Sequence, residues 1–212
     1  MLWAAALRGE PCQVLGAATD PSLLPLWRWS RDADDQDEAV LLHCHGATLD
    51  IGCGPGRMTE ALSLRGKAAL GIDVVLEAVE QTRARGANAL VRDVFMPIPG
   101  EGRWDSALLA DGNVGIGGDP LRLLRRTREL LSPRGRVVVD LAPPGRRSGT
   151  RDIRLEVAGV QSTPFPWAVV TPAALHALAE AAAFEVLEVL ERRGRWFASL
   201  EAAAVSPQGR RP

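Results

Sequence analysis

The stretch Leu49-Asp50-Ile51-Gly52-Cys53-Gly54-Pro55-Gly56-Arg57 decides the fold of this chain. An apolar run from Ala47 to Ile51 ends in three glycines spaced two apart, and an amphipathic segment from Gly56 to Arg65 follows. Glycines after a buried strand let the backbone turn sharply and approach a ligand with no side chain in the way. A helix opening at that turn presents unpaired amide donors and the positive end of its dipole, so the corner suits a phosphate or a carboxylate. A dinucleotide fingerprint requires GxGxxG, and its third glycine position here is Arg57. The spacing is GxGxG, with Asp50 two positions ahead.

Working outward, short apolar runs alternate with amphipathic segments, the pattern of a parallel sheet covered by helices. Further strands are expected at Ala68 to Ile72, Ala89 to Arg92, Trp104 to Ala110 and Arg136 to Leu141, the last after a turn at Ser132-Pro133-Arg134-Gly135. Helices are expected over Val75 to Arg85, ended by Gly86, and over Leu121 to Leu131, opened by Asp119-Pro120. After Leu141 the pattern breaks. Residues 142–170 form a variable insert with one strand at Ile153 to Val157. Thr171-Pro172 then opens a helix to about Ala183, and Phe184 to Leu190 and Trp196 to Ala203 read as strands joined at Arg193-Gly194. The acidic run Asp32 to Glu38 reads as a solvated helix start.

The residues around the glycine loop resemble motif I of the class I, Rossmann-like, S-adenosylmethionine-dependent methyltransferases. The resemblance continues through Gly71-Ile72-Asp73 and Val91-Arg92-Asp93-Val94, and through Leu131 to Val139, so it covers Ala47 to Leu141 in order. It implies an α/β fold: a three-layer αβα sandwich around a seven-stranded, mostly parallel sheet whose last strand is antiparallel. It also implies S-adenosyl-L-methionine as cofactor. The loop Gly52, Cys53, Gly54 and Gly56, with Asp50, would face the methionine end. Asp73 with Val74 would meet the ribose, and Asp93 with Val94 the adenine. The Ala110-Asp111 backbone would face the methionyl part, with Asp111 and Asn113 available to position an acceptor. His176, on the helix after the insert, is a candidate general base, with a plain surface histidine as the favoured reading. A (D/N)PP(Y/F) motif is absent, since the matching stretch is Asp111-Gly112-Asn113-Val114, which argues against nucleobase amines.

The expected organisation is an N-terminal lid or helical segment (1–46), a methyltransferase domain (47–205) and a frayed tail (206–212). The lid tryptophans Trp27 and Trp29, with Trp167 and the insert arginines Arg146, Arg147, Arg151 and Arg154, are the expected acceptor-selecting groups, suited to an anionic or glycosidic small molecule.

Bulk properties narrow the class. At 212 residues the chain suits one domain with a substantial core. A net charge of −1 provides no basic field for nucleic acid. Cys12, Cys44 and Cys53 form neither a CxxC pair nor a disulfide framework. His43-Cys44-His45 lacks further ligands at zinc spacing, so no metal is expected. The first residues lack a signal layout and no apolar run spans a bilayer, so a cytoplasmic protein is expected, monomeric or homodimeric, with neither nucleic acid nor membrane as partner. The alanine, glycine and arginine excess, with Lys67 the sole lysine, suggests a GC-rich bacterial genome. The function expected is methyl transfer to a small molecule, in secondary metabolism. The alternatives are a cofactor-binding protein catalysing a non-methylating, cyclase-like step, or a non-catalytic partner subunit.

Overall fold

The structure is a computed structural model that describes residues 2–16 and 29–203. The glycine stretch folds as read: β2 (Thr48–Ile51) runs into the loop and then into α3 (Arg57–Leu64). All four β2 residues are buried, as expected of a central strand covered on both faces. Parallel to it run β3 (Ala69–Asp73), β4 (Ala89–Val91), β5 (Trp104–Leu109) and β6 (Leu131–Leu141). The closing hairpin pairs β10 (Phe184–Arg192) with β11 (Arg195–Ala202), and β11 lies antiparallel to β6. Arg193 and Gly194 both have positive φ (51° and 85°), as a two-residue hairpin turn requires. The seven-stranded order is β4-β3-β2-β5-β6-β11-β10. Strand order therefore reverses between β2 and β5, and their carboxyl ends open the crevice where such sheets bind ligands.

Side-chain alternation divides the core into two layers. Ala107, Leu109, Val137 and Val139 face α5 (Pro120–Leu130) and α6 (Pro172–Ala181), which supply Leu123, Leu124, Leu175 and Ala179. Leu108, Val138 and Phe197 face the other way, onto α2 (Asp35–Leu41) and α3. The helix α4 (Leu76–Ala84) joins β3 to β4. Asp119 caps α5 by accepting the Arg122 N–H at 2.9 Å. Thr171 precedes Pro172 at the start of α6 but makes no cap; its hydroxyl pairs with Ser148 instead.

Two expectations change. The turn expected at Ser132 to Gly135 is the irregular, extended beginning of β6, with Leu131 paired to Trp104. The insert is also more regular than one strand. It forms β7 (Gly149–Val157), β8 (Val160–Gln161) and β9 (Phe165–Val169), and β7 pairs antiparallel with the N-terminal β1 (Cys12–Leu15). The N-terminal segment, which begins with α1 (Leu2–Leu7), thus shares a second sheet with the insert. Ile153 and Trp167 form its apolar centre, against Trp3, Val14, Trp29, Ile116 and Phe165. Residues 24–28, including Trp27, and the tail at 206–212 lie outside the described residues.

Ile153 is buried at the joint between the small sheet and the N-terminal segment. Ile153→Ala is expected to destabilise the whole chain by about 2–5 kcal/mol in one cooperative denaturant transition. A separate early transition for the small sheet would contradict this.

Candidate active site

The carboxyl ends of β2, β3 and β5 surround a cavity of about 930 Å³, counting its open mouth. Gly52 and Gly56 are fixed by different neighbours. A Cβ on Gly52 (φ 73°) would lie 2.7 Å from the Asn113 amide nitrogen, and one on Gly56 (φ 88°) would lie 2.4 Å from the Thr82 hydroxyl. Those same side chains hold the loop. Asn113 donates to the Ile51 and Gly52 carbonyls (2.9 and 2.8 Å), and Thr82 donates to the Gly54 carbonyl (2.9 Å).

Asp73 ends β3 facing this loop. Its carboxylate accepts the N–H groups of Gly54 (3.0 Å) and Val75 (2.9 Å), while the residue lines the cavity. Burial pushes its carboxyl above the ordinary range against the pull of these amides. Asp93 accepts the Phe95 N–H (2.9 Å) and lines the same cavity with Val74 and Val94. Asp50 is wholly buried behind the loop and accepts the Thr59 hydroxyl at 2.7 Å. Burial raises its carboxyl to about 6, despite the Thr59 bond and the nearby Arg57, with Asp111 and Asp73 adding repulsion.

Of the expected site residues, Gly52, Cys53, Gly54, Asp73, Val74, Asp93, Val94, Asp111 and Asn113 line the cavity. Asp50, Gly56 and Ala110 are not on its wall; Asp50 and Ala110 are buried. His176 is exposed on α6 and lines no part of it, because α6 packs on α5 and β10 with this position turned to solvent. The insert arginines are also displaced from their expected role: Arg146, Arg147 and Arg154 are exposed, Arg151 is half-buried, and none lines the cavity. The far wall is instead apolar, made by Trp3, Leu7, Trp29, Ile116 and Trp167. Gly115 and Gly118, after Asn113, are packing residues: a Cβ on Gly115 would lie 2.1 Å from the Ala168 carbonyl of β9, and one on Gly118 would lie 2.6 Å from Pro166. His43 and His45 turn to separate partners, Glu188 (2.7 Å) and Arg136 (2.8 Å). Among the described residues no His, Cys, Asp and Glu side chains gather to hold a metal.

Sequence reasoning missed a buried ion network beside the cavity. The sequence places Asp37 in an acidic run expected to be solvated. The helix start is real, with Asp34 capping Gln36 and Asp37, but Asp37 is fully buried. It accepts from Arg57 Nε and Nη2 (3.1 and 3.0 Å) and from Arg195 Nη1 (2.5 Å), and Arg31 lies 2.8 Å away. Arg57 also grips both Asp111 oxygens (2.8 and 2.7 Å), and Arg195 grips Asp140. Burial alone would raise the Asp37 carboxyl, but these two guanidiniums hold it well below the ordinary range. The one readable signal was Asp140, a single acid inside Val137-Val138-Val139-Asp140-Leu141.

A methyltransferase-domain family model matches residues 37–189. The chain belongs to the class I S-adenosylmethionine-dependent methyltransferase family. Solved structures share the fold. A methyltransferase from Bacteroides fragilis, crystallised with S-adenosyl-L-homocysteine, is 23% identical, with 95% of this chain and 94% of that chain covered at a TM-score of 0.77. A 1,6-didemethyltoxoflavin-N1-methyltransferase from Burkholderia thailandensis is 20% identical over 80% and 77% of the two chains (TM-score 0.58). An amino pentose methyltransferase from Micromonospora echinaspora is 16% identical over 80% and 89% (TM-score 0.59). No curated protein matches the sequence. No helix among the described residues is long and apolar enough to cross a membrane.

The raised Asp50 carboxyl has a stability consequence. A neutral Asp50 is accommodated fully below about pH 4, and that contribution is lost as pH rises through about 6. Asp50→Asn keeps an acceptor for Thr59 without a charge. Its stability relative to wild type is expected to rise by roughly 2–3 kcal/mol between pH 4 and pH 8, in paired chemical denaturation curves. A pH-independent difference would show that Asp50 titrates normally.

Proposed function

We propose that this chain transfers a methyl group from S-adenosyl-L-methionine to a small-molecule acceptor. The observation that carries the reading is the Asp73 carboxylate beside the glycine cradle. Two backbone amides fix its orientation, and its remaining lone pairs suit the vicinal hydroxyls of a ribose. The cavity fits the rest of the cofactor. Gly52, Cys53 and Gly54 present a bare backbone to the methionyl end, backed by Asp50. Val74 flanks the ribose, and Asp93 with Val94 supplies an acceptor and an apolar face for adenine. Asp111, on the cavity wall directly after buried Ala110, borders the methionyl end.

The bound cofactor supplies the activated methyl group; the chain supplies alignment, the main requirement of a displacement. Asn113, expected as an acceptor-positioning residue, has its amide committed to two loop carbonyls and therefore holds the cradle. Trp3, Trp29 and Trp167 cover the cavity, exclude water and leave an apolar surface for the acceptor. Structural relatives named for a toxoflavin precursor and an amino pentose make a small acceptor the favoured class, with secondary metabolism the proposed setting.

Asp73→Ala is expected to weaken S-adenosylmethionine binding by at least about tenfold, or 1.4 kcal/mol, in calorimetry, with the fold retained by circular dichroism. Unchanged affinity in the folded variant would sink the cofactor assignment. Incubation of wild type with S-adenosylmethionine and an acceptor panel is expected to release S-adenosylhomocysteine, which a non-methylating enzyme would not produce.

A further inference from the structure

The turn after β5 places Asp111 at φ 53°, a left-handed conformation that costs most residues with a Cβ and costs Asp and Asn less. Something must hold it there. The Asp111 N–H donates to Asp140 Oδ2 at 2.5 Å, and both Asp111 carboxylate oxygens accept from Arg57 (2.7 and 2.8 Å). Asp140 is gripped by Arg195 through Nε (2.9 Å) and Nη2 (2.5 Å). Arg195 reaches Asp37, and Asp37 returns to Arg57, so the contacts close into a ring: Arg57, Asp111, Asp140, Arg195, Asp37. Asp37, Arg57, Asp140 and Arg195 are buried, and Asp111 is half-buried with its side chain only 8% exposed. Although Asp111 belongs to the cavity wall, its carboxylate is spent inside the ring. Accepting an acceptor's proton would require it to give up a guanidinium.

We propose that Asp111 serves as a conformational lock and not as a base. The ring holds the left-handed turn so that Asp111, on the cavity wall, presents its backbone to the methionyl end of the cofactor. Arg195 and Asp140 are then positioning residues, although neither lines the cavity. This rests on the methyltransferase reading of the site. It assigns to Arg195, on the last strand, a part in cofactor binding that no cavity contact predicts.

The test is a double-mutant cycle read by calorimetric titration with S-adenosylhomocysteine, with thermal midpoints recorded alongside. Arg195→Met and Asp111→Ala are each expected to weaken binding by at least about tenfold, and the double variant by little more than either alone. Asp111→Asn, which tolerates the left-handed turn and still accepts one bond from Arg57, is expected to lose no more than about threefold. If Arg195→Met fails to fold, Arg195→Lys takes its place, with an expected loss of about fivefold. A merely structural Arg195 would lower the midpoint and leave the affinity of the folded protein unchanged; that result overturns the lock. Additive losses at Arg195 and Asp111 overturn it as well, as does equal loss in Asp111→Asn and Asp111→Ala, which would make the carboxylate a direct ligand. Absence of wild-type binding would instead remove the methyltransferase reading and the lock with it.

Discussion

Two guanidiniums among three buried carboxylates bind the carboxyl edge of the sheet into one piece. Asp37 comes from α2, Arg57 from the first residue of α3, Asp111 from the turn after β5, Asp140 from the end of β6 and Arg195 from the start of β11. Removing such charges from water is costly, and the cost is offset only where geometry is good and the remaining lone pairs are filled. Here Arg57 is shared between two acids and Arg195 among three, Asp111 lying 3.7 Å from it, and each acid accepts more than one bond. Loss of one member would strand a charge in the interior, so the five segments hold their mutual positions together or not at all.

On the proposed reading, the cofactor side and the acceptor side of the cavity have different origins. The cofactor side is made from strand ends and a glycine loop, elements that any sequence of this pattern produces. The acceptor side is made by α1, the segment at Trp29, the turn at Ile116 and the sheet of β1, β7, β8 and β9. A bridge between Ile116 and Trp167 ties that turn to β9.

That division explains what was legible in the sequence. Strands buried on both faces, glycines at fixed spacing and acids at strand ends are local signals, and Asp73 and Asp93 stand where they indicated. The ring is not local. Arg57 lies 20 residues from Asp37, and Arg195 lies 158 residues from it. A run of five acids gives no hint that Asp37 alone turns inward, while Asp35 at the same helix start pairs with exposed Arg193. Periodicity reports which face is apolar but not which charges meet. His176 and the insert arginines were placed by residue type and chain order, and neither property fixes the direction of a side chain. The strand β1 was invisible because four residues, Cys12 to Leu15, are too few for alternation to register.

The pairing of Cys12 with Val157 carries a kinetic consequence. The two strands are separated by more than half of the chain, and closing so long a loop is entropically unfavourable until the intervening sheet brings the ends together. Chain emerging from the ribosome reaches β1 first but cannot pair it until β7 is out. The roof of the cavity therefore cannot assemble before β7 has emerged, and until then the nascent chain carries Val14 without its β7 partner.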